Sequence, residues 1–437
     1  MLFLFYFVMM VKSIYITFYA CIFFGLICTA QTDAVPYAKN TTKANRIKEY
    51  GALISSINTN LLLPLTDTTE ADWQDAFYAM ELINYQSPFT DNKLKAAFTA
   101  IDKRSADFQR AAIELIYTLK DKAHKSAVHN LMLQTGNSKV FAMCAEYLLL
   151  FNNSSLLNVE LITLINKKIS IVQEANNYAI LYSLSRRLGN RIPGIILPAL
   201  HVAPLLAANY LKGNVVVYSI QRKNRNYPGI AIVKDKNGNF ITDNSDNIFT
   251  IPQLARSISN LPGYLTNGNT PQGIFRMFGF EVSKGSFIGP TENIQLTMPV
   301  ETTVIHFLKD SVTADTIWTP ELYKKLLPES LKNYQPLYES YQAGTAGRSE
   351  IIAHGTTVNP QYYAKRSYYP FTPTQGCLCS KEIWSSEDGK RIVSDQQKLV
   401  NAIKKAGGAD GYYVVIEIDD QQKPVSLQEI LIYLKQK

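Results

Sequence analysis

Two short segments in the last quarter of the chain carry residue types that together could perform acyl transfer on a thiol. The first reads Glu350-Ile351-Ile352-Ala353-His354-Gly355-Thr356, and the second Thr374-Gln375-Gly376-Cys377-Leu378-Cys379. A short apolar run ending in histidine holds an imidazole on rigid backbone at a sheet edge. A glycine directly before a cysteine lets substrate and backbone N–H groups come close to the sulfur. A free thiol is mostly protonated at neutral pH, so it needs a base. An imidazole within hydrogen-bond reach takes the proton and leaves a thiolate as the attacking species. Cys377 is therefore the expected nucleophile and His354 its general base.

The other cysteines and histidines give less. Cys21 and Cys28 fall within the first thirty residues, leaving Cys144, Cys377 and Cys379. That number is odd, and a bridge between residues two apart is badly strained, so no disulfide framework is expected. Cys144 sits on an apolar helical face and reads as core. His124, His129, His201 and His306 are assigned no chemistry.

The elements that must position the pair occupy the second half of the chain. Strand signals run over Val215–Ile220, Gly229–Val233, Asn239–Ile241, Ile274–Phe280, Ile294–Met298, Thr303–Phe307, Ile351–Ala353 and Tyr412–Ile418. Asp235-Lys236-Asn237-Gly238 between two of them is a hairpin signal. Helical stretches are expected near Pro320–Leu327, Asp395–Ala406 and Leu427–Leu434. Upstream, from Asp72 to about Leu188, the period is helical, as in Phe108, Ala112, Leu115 and Leu119. An antiparallel helical array, loosely like an α-solenoid, is expected there. The expected organisation is a signal segment over 1–30, a linker and leading helix (near Ile47–Ile57) over 31–69, a helical domain over 70–204 and a β-rich catalytic domain over 205–437. The fold class is α+β, multidomain.

Composition agrees with a folded multidomain chain: 437 residues, 46% hydrophobic and 18% charged. The formal net charge of +8 is spread without a dense Lys/Arg run, so nucleic-acid binding is not expected. Lys12, the apolar stretch Ile14–Ile27 and the small residues at Cys28 and Ala30 read as a secretory signal cut before Gln31. The stretch is also long enough for a retained anchor. Export to the periplasm or cell envelope is the expectation, and it makes an unpaired Cys377 informative, because free thiols are uncommon in oxidising compartments.

A third segment, Asn269-Thr270-Pro271-Gln272-Gly273-Ile274-Phe275, extends the pattern. T-P-x-G-x-F, then an apolar strand with H-G-T, then [ST]-x-G-C followed by an apolar residue resembles the L,D-transpeptidase catalytic domain of bacterial peptidoglycan enzymes. The resemblance spans roughly Tyr210 to Cys379, and to Ile418 at most; the helical half lies outside it. It implies Cys377 as nucleophile, His354 as base and the Gly355 carbonyl as the group orienting the imidazole. It also implies the N–H groups of Gly376 and Cys377 as oxyanion donors, and Thr374 in the substrate cleft beside Gln375.

Two departures bear on substrate recognition. Gln375 stands where some members carry a second histidine, and Cys379 where many carry an arginine. Lys365 and Arg366 become candidates for binding a substrate carboxylate, although each also reads as a solvated loop charge. The segment 281–348 reads as an insertion. The tyrosines at 362, 363, 368 and 369 suit either a lid or packing on the domain's flank.

The implied partners are peptidoglycan stem peptides, with carbapenem-type inhibitors as expected acylating agents and a protein partner possible through the helical half. No metal or organic cofactor is implied, and no zinc-protease, P-loop or dinucleotide fingerprint appears. The implied reaction is transfer at the L,D bond of a tetrapeptide stem with release of D-Ala and 3–3 cross-linking. L,D-carboxypeptidase or endopeptidase hydrolysis at the same site, and an inactive wall-binding scaffold, are the alternatives.

Overall fold

The helical period of the first half yields eight helices in the computed structural model, which describes residues 35–152, 154–189, 202–310 and 315–434. They are α1 (Lys43–Leu62), α2 (Glu70–Ile83), α3 (Pro88–Thr99), α4 (Ala106–Leu119), α5 (Lys125–Gln134), α6 (Ser138–Phe151), α7 (Ser155–Ile169) and α8 (Ala175–Gly189). Local chemistry fixes their ends. Ser87 and Thr90 form a reciprocal capping box around Pro88, Ser105 Oγ accepts the Phe108 N–H, and Asn137 caps α6. The leading helix is longer than its apolar spacing suggested. The expected signal segment lies outside the described residues, as does most of the stretch expected to end the helical domain.

The second half forms strands β1 (Val215–Gln221), β2 (Gly229–Lys234), β3 (Ile251–Leu254), β4 (Gly273–Glu281), β5 (Asn293–Thr297), β6 (Ile352–His354), β7 (Leu378–Ser380), β8 (Glu382–Trp384), β9 (Arg391–Ser394) and β10 (Asp410–Glu417). Eight close into a barrel in the order β1-β10-β4-β5-β6-β7-β3-β2, and β8 with β9 makes a separate ribbon. Pairing is antiparallel except for β1 with β10 and β6 with β7. The molecule is thus mixed α+β, a helical N-terminal region followed by a closed eight-strand barrel.

Alternate residues separate two apolar faces. Val215, Val217, Val233, Phe275, Ala353, Leu378 and Tyr413 share the inner core with Leu399 and Ile403 of the helix Asp395–Ala406. Val216, Tyr218, Ile274 and Tyr412 face outward under the helices Val304–Leu308 and Pro320–Lys324 through Phe307 and Tyr323. Leu261, Tyr264, Tyr363 and Tyr368, from loops of the barrel half, belong to one cluster with Phe77, Phe108 and Leu115 of the array. The described residues from Pro36 onward form one compact unit.

Three local expectations change. Thr303–Phe307, read as a strand from its β-branched residues, is helical over Val304–Leu308 because Thr303 Oγ1 caps it by accepting the His306 N–H. The turn at Asp235–Gly238 forms, with Gly238 at φ +97°, but its second arm is reduced to a single bridge between Lys234 and Phe240. The segment 281–348, read as an insertion, supplies β5 to the barrel wall before it turns helical.

Candidate active site

Parallel pairing of β6 with β7 brings the two reactive segments together. Ala353 lies opposite Leu378 and His354 opposite Cys379. Ala353 and Leu378 point into the barrel. Period-two alternation therefore puts His354, Cys377 and Cys379 on the outer face, with the Cys377 and His354 positions one pleat repeat (about 7 Å) apart along the strands.

The imidazole is held as the sequence anticipates. His354 is buried, and its Nδ1 lies 2.5 Å from the Gly355 carbonyl. A neutral ring donating from Nδ1 keeps the Nε2 lone pair free as a base. Burial pulls its pKa down to about 4, opposed by that backbone bond. The imidazole is therefore uncharged at neutral pH, and burial makes it a weaker base than a solvated histidine.

The backbone that orients the ring is itself pinned. Glu382 of β8 accepts the Thr356 N–H at 3.0 Å, the Thr291 hydroxyl at 2.5 Å and the Ser394 hydroxyl at 2.6 Å. Trp384 Nε1 donates to the Thr356 carbonyl at 2.8 Å. Gly355 is required by space: a Cβ there would meet Glu382 Oε2 at 2.1 Å. Glu382 had no visible signal in the sequence beyond a lone carboxylate in a short apolar strand.

Cys377 is partly exposed, unlike the other two cysteines of the described residues. Its Sγ accepts the Ile352 N–H at 3.5 Å and donates to the Glu350 carbonyl at 3.6 Å. Burial pushes the thiol up, while the Ile352 N–H and the charge of Arg348 pull it down. Among the described residues no hydrogen bond joins Sγ to His354. A cavity of about 370 Å³ opens beside Glu350 and Ile352, walled also by Phe278, Gln295, Thr297 and His306; neither Cys377 nor His354 lines it. A larger cavity, about 580 Å³ between α5, α6 and α7, contains none of the expected site residues.

The turn before Cys377 is tightly built. Thr374 Oγ1 donates to the Cys377 carbonyl at 2.8 Å and accepts the Gly376 N–H at 3.0 Å. Thr374 thus shapes the turn from within, and the Gly376 N–H, expected at an oxyanion, is engaged there. Thr270 Oγ1 donates to the Gly376 carbonyl at 2.8 Å, so the Thr-Pro-Gln-Gly segment braces the turn before Cys377 directly. Gly376 has φ +117°, and a Cβ there would meet Arg348 Nη2 at 1.9 Å.

Gln375 is exposed beside this turn, and Lys365 and Arg366 lie exposed in the loop after β6. Arg366 Nη2 donates to Asn84 Oδ1 at 2.7 Å, at the end of α2, so it is tied to the array and not to the thiol. The tyrosines split in the same direction. Tyr363 donates to the Leu82 carbonyl at 2.9 Å and Tyr362 to Glu49 Oε1 at 3.4 Å, packing the loop on the helices, while Tyr369 stays exposed.

The cation whose charge acts on Cys377 is Arg348, which the sequence offered no reason to select. Among the described residues no group of side chains could hold a metal ion, and no helix is long and apolar enough to cross a membrane. Comparison with protein-family models, curated proteins and solved structures gives no match for this chain.

Proposed function

We propose that this protein is an exported peptidoglycan L,D-transpeptidase acting in the periplasm or cell envelope, with Cys377 as nucleophile and His354 as base. The observation that carries the reading is the imidazole, held through Nδ1 by the Gly355 carbonyl, neutral, and on the same outer face as the partly exposed thiol. Such an arrangement suits acyl transfer by a thiolate.

In the first step His354 Nε2 takes the Cys377 proton, and sulfur adds to the carbonyl of the L,D bond in a tetrapeptide stem. The imidazolium then returns the proton to the leaving amine, D-Ala departs, and a thioester remains. An amine of a neighbouring stem attacks that thioester, loses its proton to His354, and frees the thiol. The Cys377 N–H is suited to the tetrahedral oxyanion. The cavity at Glu350 and Ile352 gives room for the peptide.

Digestion of purified muropeptides followed by mass spectrometry tests the reading. Released D-Ala with new 3–3 dimers, absent in Cys377→Ala, is the expected result. Tripeptide without dimers would point to water as the acceptor. No product at all, with no carbapenem adduct on Cys377, would leave the enzymatic reading without support.

A further inference from the structure

Arg348 is buried at 5% exposure, yet the hydrogen bonds of its guanidinium go to backbone carbonyls. Nη1 donates to Asn269 at 2.7 Å and to Gly263, and Nη2 donates to Gly268 at 2.6 Å. A cage of neutral carbonyls satisfies its donors without cancelling its charge. Removing a cation from water is costly, and a partner of opposite charge must offset that cost. Against it lies Gly376, packed so closely on Nη2 that only a hydrogen fits, and next to it Cys377. The Glu114 carboxyl of α4 also acts on the guanidinium by charge.

The carbonyl cage belongs to a loop that the helical array holds. Asn267 Nδ2 donates to Glu114 Oε2 at 3.2 Å, and Tyr264 donates to Glu146 Oε1 at 3.0 Å. Arg187 of α8 in turn binds Glu146 at 2.7 Å. Leu261, Tyr264 and Leu265 sit in the same apolar cluster as α2, α4 and α6. The array therefore fixes the loop, the loop fixes the guanidinium, and the guanidinium faces the nucleophile turn.

Resting on the reading of Cys377 as nucleophile, we infer that Arg348 is a positioning residue: a caged, helix-clamped cation whose charge favours the thiolate of Cys377. The helical half is then part of the acyl-transfer machinery through Glu114, Asn267 and Arg348. The titratable and charged groups around the thiol are Arg348, Glu350 and Cys379, and those around Arg348 are Cys377 and Glu114, whose charge acts in turn on Glu81 of α2. Arg348, although pulled down to about 10 by burial, stays charged across the neutral range.

The test is the pH dependence of iodoacetamide alkylation at Cys377 in the full-length protein, read by peptide mapping so that Cys144 and Cys379 are scored separately. For Arg348→Gln the alkylation midpoint should rise by about one pH unit, a tenfold slower reaction below it, the size expected when a close opposite charge is lost. Glu114→Gln keeps an acceptor for Asn267 but removes the competing anion, so the midpoint should move the opposite way, by less. A loss of fold alone moves no midpoint in opposite directions. If folded Arg348→Gln matches the parent, or if that variant cannot fold and Glu114→Gln leaves the midpoint in place, the inference is overturned. No substrate enters this assay, so a failure of muropeptide turnover would strike the functional reading and leave this result standing.

Discussion

The turn at 374–377 and the strand that follows it hold two thiols two residues apart in opposite environments. Cys377 is partly exposed, receives the Ile352 N–H and lies beside a buried guanidinium. Cys379 is 1% exposed, and its sulfur lies 3.8 Å from the Thr372 hydroxyl. Burial pushes that thiol up to about 12, with the Glu382 carboxylate adding in the same direction. Burial raises both thiols, but only Cys377 has a guanidinium and the Ile352 N–H opposing the rise, and only Cys377 is partly exposed. The residue pair Gly376-Cys377 against Leu378-Cys379 shows that reactivity here is set by position on the sheet edge and nearby charge, since the chemical group is the same.

Removing the sulfur of Cys377 should have the largest effect on this contrast. Cys377→Ala is expected to abolish D-Ala release from a tetrapeptide stem, measured by mass spectrometry. Next comes the base. His354→Gln should lower turnover by about 10²–10⁴-fold, with alkylation of Cys377 at high pH retained. The parent enzyme's acid limb should lie near 4, well below an ordinary histidine, because burial disfavours the imidazolium. An acid limb at about 6.5 would mean that the ring is solvated in solution.

The same burial has a stability consequence of definite sign. The folded pKa lies below the unfolded one, so the unfolded chain binds the extra proton as pH falls from about 6.5. Stability should decline over the window down to about 4 and then stop responding to this group. His354→Gln should flatten that part of a thermal-melt profile.

Gly355→Ala sharpens the comparison from the side of the base. Its methyl group would enter the space of the Glu382 carboxylate, displacing the peptide whose carbonyl holds Nδ1. Overpacking of this kind costs about 1–3 kcal/mol, which denaturant melts can resolve, and turnover should fall more than stability does. The smallest effect belongs to Cys379→Ser, which should retain most activity. A loss equal to that of Cys377→Ala would exchange the roles of the two thiols.

Much of this pair was legible because it is local. His354 and Gly355 are adjacent, as are Gly376 and Cys377, and the alternation of Ala353 and Leu378 with the polar residues places the two segments on one outer face. Glu382 and Arg348 were not legible. Arg348 reaches Cys377 through the carbonyls of Gly263, Gly268 and Asn269, which come from a loop eighty residues upstream. Nothing in the order of residues announces that meeting. The helix at Val304 was hidden for another reason: β-branched residues suggested a strand, and a single threonine cap decided otherwise. β3 escaped because Ile251-Pro252-Gln253-Leu254 is short and contains a proline, tolerated although both its neighbours in the barrel pair with it.

The most direct measurement is the site of the covalent intermediate. The full-length protein, incubated with a tetrapeptide stem, acid-quenched and mapped by peptide mass spectrometry, should carry a tripeptide acyl group on Cys377 and nowhere else. An adduct on Cys379, or turnover with no acylated cysteine at any time, would contradict the account.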